Sequence, residues 1–495
     1  MNIIIFFPGT LLFDLYRDRD DIYFFDDHGF HVCDQGKRRL EKSSIDISPE
    51  AFRSRIDVRD SVLQLRLFGP LLSRWVSRGD QYELIIRDAL LDIYTIADLL
   101  KAFNIEVAIF HTGVTHHIDS LVCERACVSA KISQVFLYSN AILLGRLLPL
   151  IQNSDITDRR PLGALIADYD SQISINSFID NFNLGNPPEC GGKFPDLKHK
   201  NYYAALLMAL IVATRSFFSQ TLGSLIMKKK YSETIFKKYQ NLFTNHALIS
   251  QIRQQREAIR YYANTIKRNR KAEISNKHKI ALLFASNFQP EATSFPEGWN
   301  LHNTIDVVIE LRRLGYTQKI LYKEHPASNF YTWPIIGFTK VGMYRSKRYY
   351  QQLEALGCFF IDSRIRLTTE FCTTEGYLPV TISGSIAVER ALAGFHTIYT
   401  GYPWWKGLPG TVHISDISSL NLLPQEWVEH DSSVATSAFT FLEKMLSGKS
   451  ILNAPSIGLD NEPSQISDDS KYLFAKEFNS LISYLKNRVR SENAL

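Results

Sequence analysis

The stretch Lys319-Ile320-Leu321-Tyr322, followed at once by Lys323-Glu324-His325-Pro326, decides the reading of the fold. β-Branched and aromatic side chains running up to a proline read as a strand that stops. Proline cannot extend a ladder, and it drives the residue before it into extended backbone. A charged tetrapeptide with an imidazole therefore sits at the C-terminal end of that strand, the edge where open α/β sheets bind ligands. A histidine held there can donate to a phosphate. The plainer alternative is a strand running into a solvated turn.

Downstream, Leu378-Pro379-Val380-Thr381-Ile382 reads as a short buried strand and Ser383-Gly384-Ser385 as a tight turn. Residues 386–393 then read as a helix closed by Gly394. The start of such a helix offers backbone N–H groups and the positive end of the dipole, and small residues let a phosphate approach the backbone. Glu389, one turn in, is placed to accept from ribose hydroxyls. The alternative is an ordinary cap by Ser383 or Ser385, with Glu389 on a solvated face. Upstream, Lys279-Ile280-Ala281-Leu282-Leu283-Phe284 reads as a strand running into a polar segment in which Gln289 and Glu291 flank Pro290. That proline fixes the local backbone, so both side chains can be aimed with little freedom to lose. Three polar strand exits in one array favour a nucleotide site over three unrelated turns.

These blocks carry a resemblance. Gln289-Pro290-Glu291-Ala292, Lys323-Glu324-His325-Pro326, Gly342-Met343-Tyr344-Arg345-Ser346, the run Thr381 to Glu389, and Gly401-Tyr402-Pro403-Trp404-Trp405 resemble, in order and spacing, the capsule polysaccharide biosynthesis family of bacterial surface-glycan glycosyltransferases. The resemblance covers roughly residues 279–412 and is weak upstream. It implies a GT-B architecture, with two Rossmann-like domains facing across a cleft and the nucleotide-sugar donor held by the C-terminal one. Relatives that transfer 3-deoxy-octulosonic acid or sialic acid take it from CMP, and in them the His-Pro histidine contacts the phosphate. Carried over, His325 is that contact, Ser383, Gly384 and Ser385 support the phosphate, and Glu389 faces the ribose. The chain departs from the family at Ser383-Gly384-Ser385 and Val388-Glu389-Arg390, which leaves room for a different base or sugar pocket.

The N-terminal half alternates in the same way. Gln81 to Phe103 reads as an amphipathic helix, Ile105 to Phe110 as a strand, Ile118 to Ala130 as a helix and Ile132 to Tyr138 as a strand, which spells βαβ and a parallel sheet. Asn2 to Phe7 lacks a basic flank and reads as a first strand, not a signal peptide. The strand ending at Phe110 exits into a loop bearing His111, His116, His117 and Asp119. Acceptor binding or acid/base work by the last three stands beside capping by Asp119. No metal is expected, because no thiolate or carboxylate falls at a ligand spacing. Val434 to Leu446 and Lys471 to Val489 read as closing helices, the last packing back across to the N-terminal domain.

With 495 residues the chain is too long for one core, and 45% hydrophobic with 12% aromatic residues suits large packed cores. We expect an N-terminal Rossmann-like domain over 1–270 with a helical insertion near 200–265, a nucleotide-sugar-binding domain over 275–430, and closing helices over 431–495. A net charge of +5 favours anionic ligands or a membrane surface over nucleic acid. The six cysteines lack a Cys-x-x-Cys pair, and Cys123 and Cys127 fall on one helix face, where buried free thiols and a reducing, cytoplasmic setting are expected. The apolar run Tyr203 to Ala213 is too short to span a bilayer. With the Lys228-Lys229-Lys230 cluster that follows, it suits either the headgroup region of an anionic membrane or a helix buried between domains.

Glycosyl transfer needs charge on the departing phosphate to be stabilised. His325, the turn at 383–385 and Lys323 or Arg345 suit that task, with Gln289 and Glu324 in the same donor-binding set. Glu291, Asp119 and His117 are the candidates for acid/base or nucleophilic work. No cofactor is expected. The partners expected are a nucleotide-sugar donor and a polysaccharide or lipid-linked glycan acceptor. A nucleotide-sugar epimerase of the same architecture and a non-catalytic, membrane-peripheral scaffold of glycan assembly are the alternatives; the expected place of the protein is the cytoplasm or the inner face of the plasma membrane.

Overall fold

The computed structural model describes residues 1–6, 10–26, 29–31, 82–110, 118–138, 147–152, 158–161, 246–269, 281–287, 297–325, 345–365, 367, 369–420, 423–445 and 467–492. It is an α/β protein built on two sheets. The first contains β1 (Asn2–Phe6), β2 (Ile22–Asp26), β3 (Gly29–His31), β4 (Ile105–Phe110), β5 (Ser133–Tyr138), β6 (Leu148–Gln152) and β7 (Arg160–Pro161). Its order is β3-β2-β1-β4-β5-β6-β7. The central strands β2, β1, β4 and β5 are parallel, and β3, β6 and β7 are added antiparallel at the two edges. β1 is a run of isoleucines closed by Phe6, buried on both faces, which is the signature of a central parallel strand.

The second sheet contains β8 (Ala281–Ala285), β9 (Ile320–Lys323), β10 (Cys358–Ile361), β11 (Tyr377–Thr381), β12 (Thr397–Tyr399) and β13 (Thr411–His413). All five of its ladders are parallel, in the order β10-β9-β8-β11-β12-β13. Counted from its own first strand this is 3-2-1-4-5-6, the doubly wound order, and the direction of winding reverses between β8 and β11. Lys323, read from sequence as the first residue past the strand, is its last residue and pairs with Ala285 and Ile361.

The helices are α1 (Thr10–Tyr16), α2 (Tyr82–Ala102), α3 (Ile118–Ala130), α4 (His246–Asn269), α5 (Thr304–Arg313), α6 (Lys347–Ala355), α7 (Thr369–Thr374), α8 (Ile386–Leu392), α9 (Ser432–Met445) and α10 (Asp468–Glu492). Ser346 caps α6 by accepting from the Tyr349 N–H, which sets where the chain turns into that helix. Among the described residues no helix is long and apolar enough to cross a membrane. The run 203–230 lies outside them.

Two helices pack far from their sequence neighbours. α10 lays Phe474, Phe478, Leu481, Ile482 and Leu485 against Ile3, Ile5, Leu11 and Leu12 of the first sheet's layer. Polar contacts pin it there: Tyr16 Oη donates to the Ala475 carbonyl at 3.2 Å, and Lys486 Nζ meets Asp21 at 2.6 Å. α4 ends the stretch that the sequence reading assigned to an N-terminal insertion, yet it belongs physically to the second sheet. Ala258 and Tyr262, one turn apart, share a buried cluster with Leu282, Tyr322, Tyr350 and Phe360. The second sheet's body thus begins upstream of residue 270, the expected end of the N-terminal domain. Another buried cluster joins the halves, running from Phe6, Phe110 and Phe136 through α2 and α3 to Val388, Trp404, Trp405 and Leu442. Cys123 and Cys127 lie within it as buried free thiols.

Candidate functional site

The exits of β8, β9 and β11 converge where the second sheet reverses its winding. Thr381, the last residue of β11, ties two of them together. Its Oγ1 donates to Asn287 Oδ1 at 3.2 Å and accepts from the Gly384 N–H at 3.1 Å. A Cβ at position 384 would lie 2.6 Å from that same Oγ1, so the turn closes only over glycine. Ser383 is buried, while Gly384 and Ser385 are half-buried. Ser385 makes no side-chain cap; its Oγ donates instead to Glu389 Oε1 at 2.9 Å. Glu389 is half-buried and leans back on the turn, and burial raises its carboxyl pKa despite the serine. The Ser385 cap of the alternative reading is thus replaced by a bond between the turn and the helix's own carboxylate.

Beneath these loops lies a sealed polar core. Glu324 is wholly buried; its Oε2 accepts from Tyr322 Oη at 2.7 Å and Tyr350 Oη at 3.0 Å and pairs with Arg345 Nε. Its Oε1 accepts from the His325 backbone N–H at 2.8 Å. Burial works to raise the Glu324 pKa, but the guanidinium and the other donors outweigh it and hold the carboxyl low. Arg345 reaches on to the β8 exit, with Nη2 donating to Ser286 Oγ at 2.9 Å and to the Asn287 carbonyl at 3.3 Å. Tyr262 enters from α4: its Oη accepts from the Glu324 N–H at 3.1 Å and donates to the Ile361 carbonyl at 2.6 Å. The carboxylate ties β9, α6 and, through Arg345, the β8 exit together, and the backbone N–H of the same residue ties in α4 and, through Tyr262, β10.

The sequence-derived residues fall into three groups. His325, Ser383, Gly384, Ser385 and Glu389 lie on strand exits or the first turn of α8, around the switch point. Glu324 and Arg345, read as donor contacts, are turned inward at 0% and 1% exposure and hold the loops from behind. The reason is desolvation: two opposite charges on adjacent buried elements satisfy each other before either can serve a ligand. Lys323 points to the face of β9 opposite Tyr322 and is likewise buried, and burial lowers its pKa against the nearby Glu324 and Asp362 carboxylates. Gln289, Glu291 and His117 lie outside the described residues. Asp119 sits in the first turn of α3, and its side chain is outside them as well.

His325 is half-buried, and burial pushes its imidazole pKa down to about 4, with Lys323 and Arg345 adding to the effect against Glu324. At neutral pH the ring is uncharged and carries one N–H donor. The switch point thus carries a neutral imidazole and a small-residue turn on a rigid support. Sequence reasoning passed over Ser286, Asn287 and Thr381 as individuals, although all three lie in the polar exits it singled out. The contribution of Tyr262 had no local signal, since its helix lies more than fifty residues before Glu324.

The comparisons with known proteins gave no matching family model, no matching curated protein and no matching solved structure.

Proposed function

We propose that the chain is a glycosyltransferase that moves a sugar from a nucleotide-sugar donor, a CMP-linked acidic sugar by preference, to a growing capsule or other surface polysaccharide. One observation carries this reading: the all-parallel second sheet has the doubly wound order, and three polar strand exits meet at its switch point. Nucleotides bind at such points in open α/β sheets. The resemblance of residues 279–412 to capsule glycosyltransferases supports the same site, and a first sheet with its own parallel centre suits the acceptor half of a GT-B pair.

In this reading the acceptor hydroxyl attacks the anomeric carbon while the bond from that carbon to the phosphate oxygen breaks. The nucleotide leaves with the bonding electrons. His325, uncharged, donates to the phosphate as charge grows on it, and the turn at 383–385 accommodates its oxygens. The hydroxyl proton goes to a base, for which Glu291, Asp119 and His117 are the candidates.

A thermal-shift titration with CMP, UDP, GDP and ADP tests the reading. A ligand at a hundred times its Kd adds about 2.7 kcal/mol of stability. A shift with CMP alone is the expected outcome. Donor turnover without acceptor would favour an epimerase, and no binding or turnover of any nucleotide or nucleotide sugar would favour the scaffold.

A further inference from the structure

α4 has two faces of opposite character. Gln255, Ala258, Tyr262 and Thr265, spaced 3, 4 and 3 apart, are buried against the second sheet's layer. Arg253, Arg256, Arg260 and Lys267, spaced 3, 4 and 7 apart, fall on the other side within one narrow stripe. From position 253 to 267 is fourteen residues, roughly 21 Å of helix. Arg253, Arg260 and Lys267 are exposed and Arg256 is half-buried. Among the described residues none of the three exposed cations is in an ion pair. α6, packed alongside, adds exposed Lys347 and Arg348 in its first turn.

The acidic groups on these helices do not cancel the stripe. Glu354 of α6 is taken by Arg268 at 3.0 Å and by the Tyr261 hydroxyl. That leaves Glu257 as the one exposed carboxylate of α4. The packing of α4 on the sheet buries none of the three exposed cations, and unshared surface cations add little to stability. Three exposed cations outside any ion pair, in a row on one helix, are suited to an extended anionic surface.

We propose that this stripe docks the protein on an anionic lipid surface. Each Lys or Arg near such a surface contributes about 1 kcal/mol, and the attraction fades within a Debye length. The geometry favours headgroups over a single-stranded nucleic acid, because no exposed aromatic ring is interleaved with the cations to stack bases. The proposal is independent of sugar transfer. It gives α4 a second role, since the helix that would lie on the lipid also places Tyr262 against the Glu324 backbone.

The test is co-sedimentation of the full chain with vesicles of phosphatidylcholine alone and of phosphatidylcholine with phosphatidylglycerol. Wild type is expected on the anionic vesicles only, with binding lost as salt rises. The triple variant Arg253→Gln/Arg260→Gln/Lys267→Gln removes three exposed contributions and should weaken that binding roughly a hundredfold. Its melting temperature should stay unchanged; if the triple variant misfolds, the double variant Arg253→Gln/Arg260→Gln serves with a proportionate loss. Undiminished vesicle binding by the folded variant overturns the proposal. So does loss of all binding on replacing Lys228, Lys229 and Lys230 with serine while the stripe is intact. Binding of wild type to an RNA homopolymer but to neither vesicle would assign the stripe to a polyanion and also overturn it. Nucleotide thermal shifts, read separately, report on the transferase reading alone.

Discussion

The Arg345 guanidinium and the Glu324 carboxylate form an ion pair sealed from solvent directly behind the loop that carries His325. Neither charge is available to a ligand, yet both determine where the groups at the strand exits stand. Arg345 fixes Ser286 and Asn287, Asn287 meets Thr381, and Thr381 holds the turn at Gly384.

Glu324→Gln should therefore act on the whole site at once. It leaves a buried guanidinium without its counter-ion, and breaking such a pair from one side costs about 3–5 kcal/mol. Urea unfolding should show that loss. The double variant Glu324→Leu/Arg345→Met, which leaves no stranded charge, should recover part of it.

His325 makes a pH-dependent contribution of predictable sign. Its folded-state pKa is depressed to about 4 from the ordinary 6.5, so between those values the unfolded chain binds more protons than the folded one. Stability from this group is complete above pH 6.5 and falls as pH drops towards 4, by at most about 3 kcal/mol. Comparing urea midpoints at pH 5 and pH 7 in wild type and His325→Ala tests this: the variant should lose less stability on acidification. Its nucleotide shift should be diminished at both pH values.

Gly384→Ala sets a Cβ 2.6 Å from Thr381 Oγ1, which is held on one side by Asn287 and on the other by the turn itself. Overpacking of this kind costs about 1–3 kcal/mol, and the turn must open to relieve it. Calorimetric titration with the best-binding nucleotide should show affinity reduced roughly tenfold or more. Unchanged affinity would remove the turn from the phosphate site.

Phe478→Ala removes a fully buried ring of α10 that meets Tyr16 with centroids 5.2 Å apart. Truncating a buried phenylalanine costs about 3–5 kcal/mol. Thermal unfolding should lose stability accordingly, with the second sheet's nucleotide response preserved in the folded fraction.

Much of this architecture was legible because its strands announce themselves. Buried parallel strands read as short apolar runs, and Ile105–Phe110, Ile118–Ala130 and the strand-turn-helix around Ser383 lie within a residue or so of their reading from sequence. The side chains at the strand exits were harder. A charged residue beside a strand end looks the same in sequence whether it faces solvent or a buried partner. Glu324 and Arg345 are twenty-one residues apart, and nothing local marks them as a pair. Tyr262 was hidden for the same physical cause, since nothing near it in the chain marks the residue it reaches, whereas the return of the last helix, which carries Phe478, to the N-terminal half was read from sequence.

The packing of α10 also sets a timetable. The Tyr16 hydroxyl bonds a carbonyl 459 residues further along the chain, so the first strand leaves the ribosome long before its cover exists. At 5–20 residues per second that interval is roughly 20–90 s. The second sheet draws its strands and α4 from residues 246–413 and closes its ladders without waiting for α10. Synthesis order and completion order are thus reversed. The half made first is finished last, and through that interval Ile3 and Ile5 of β1 lack the cover that α10 later gives them.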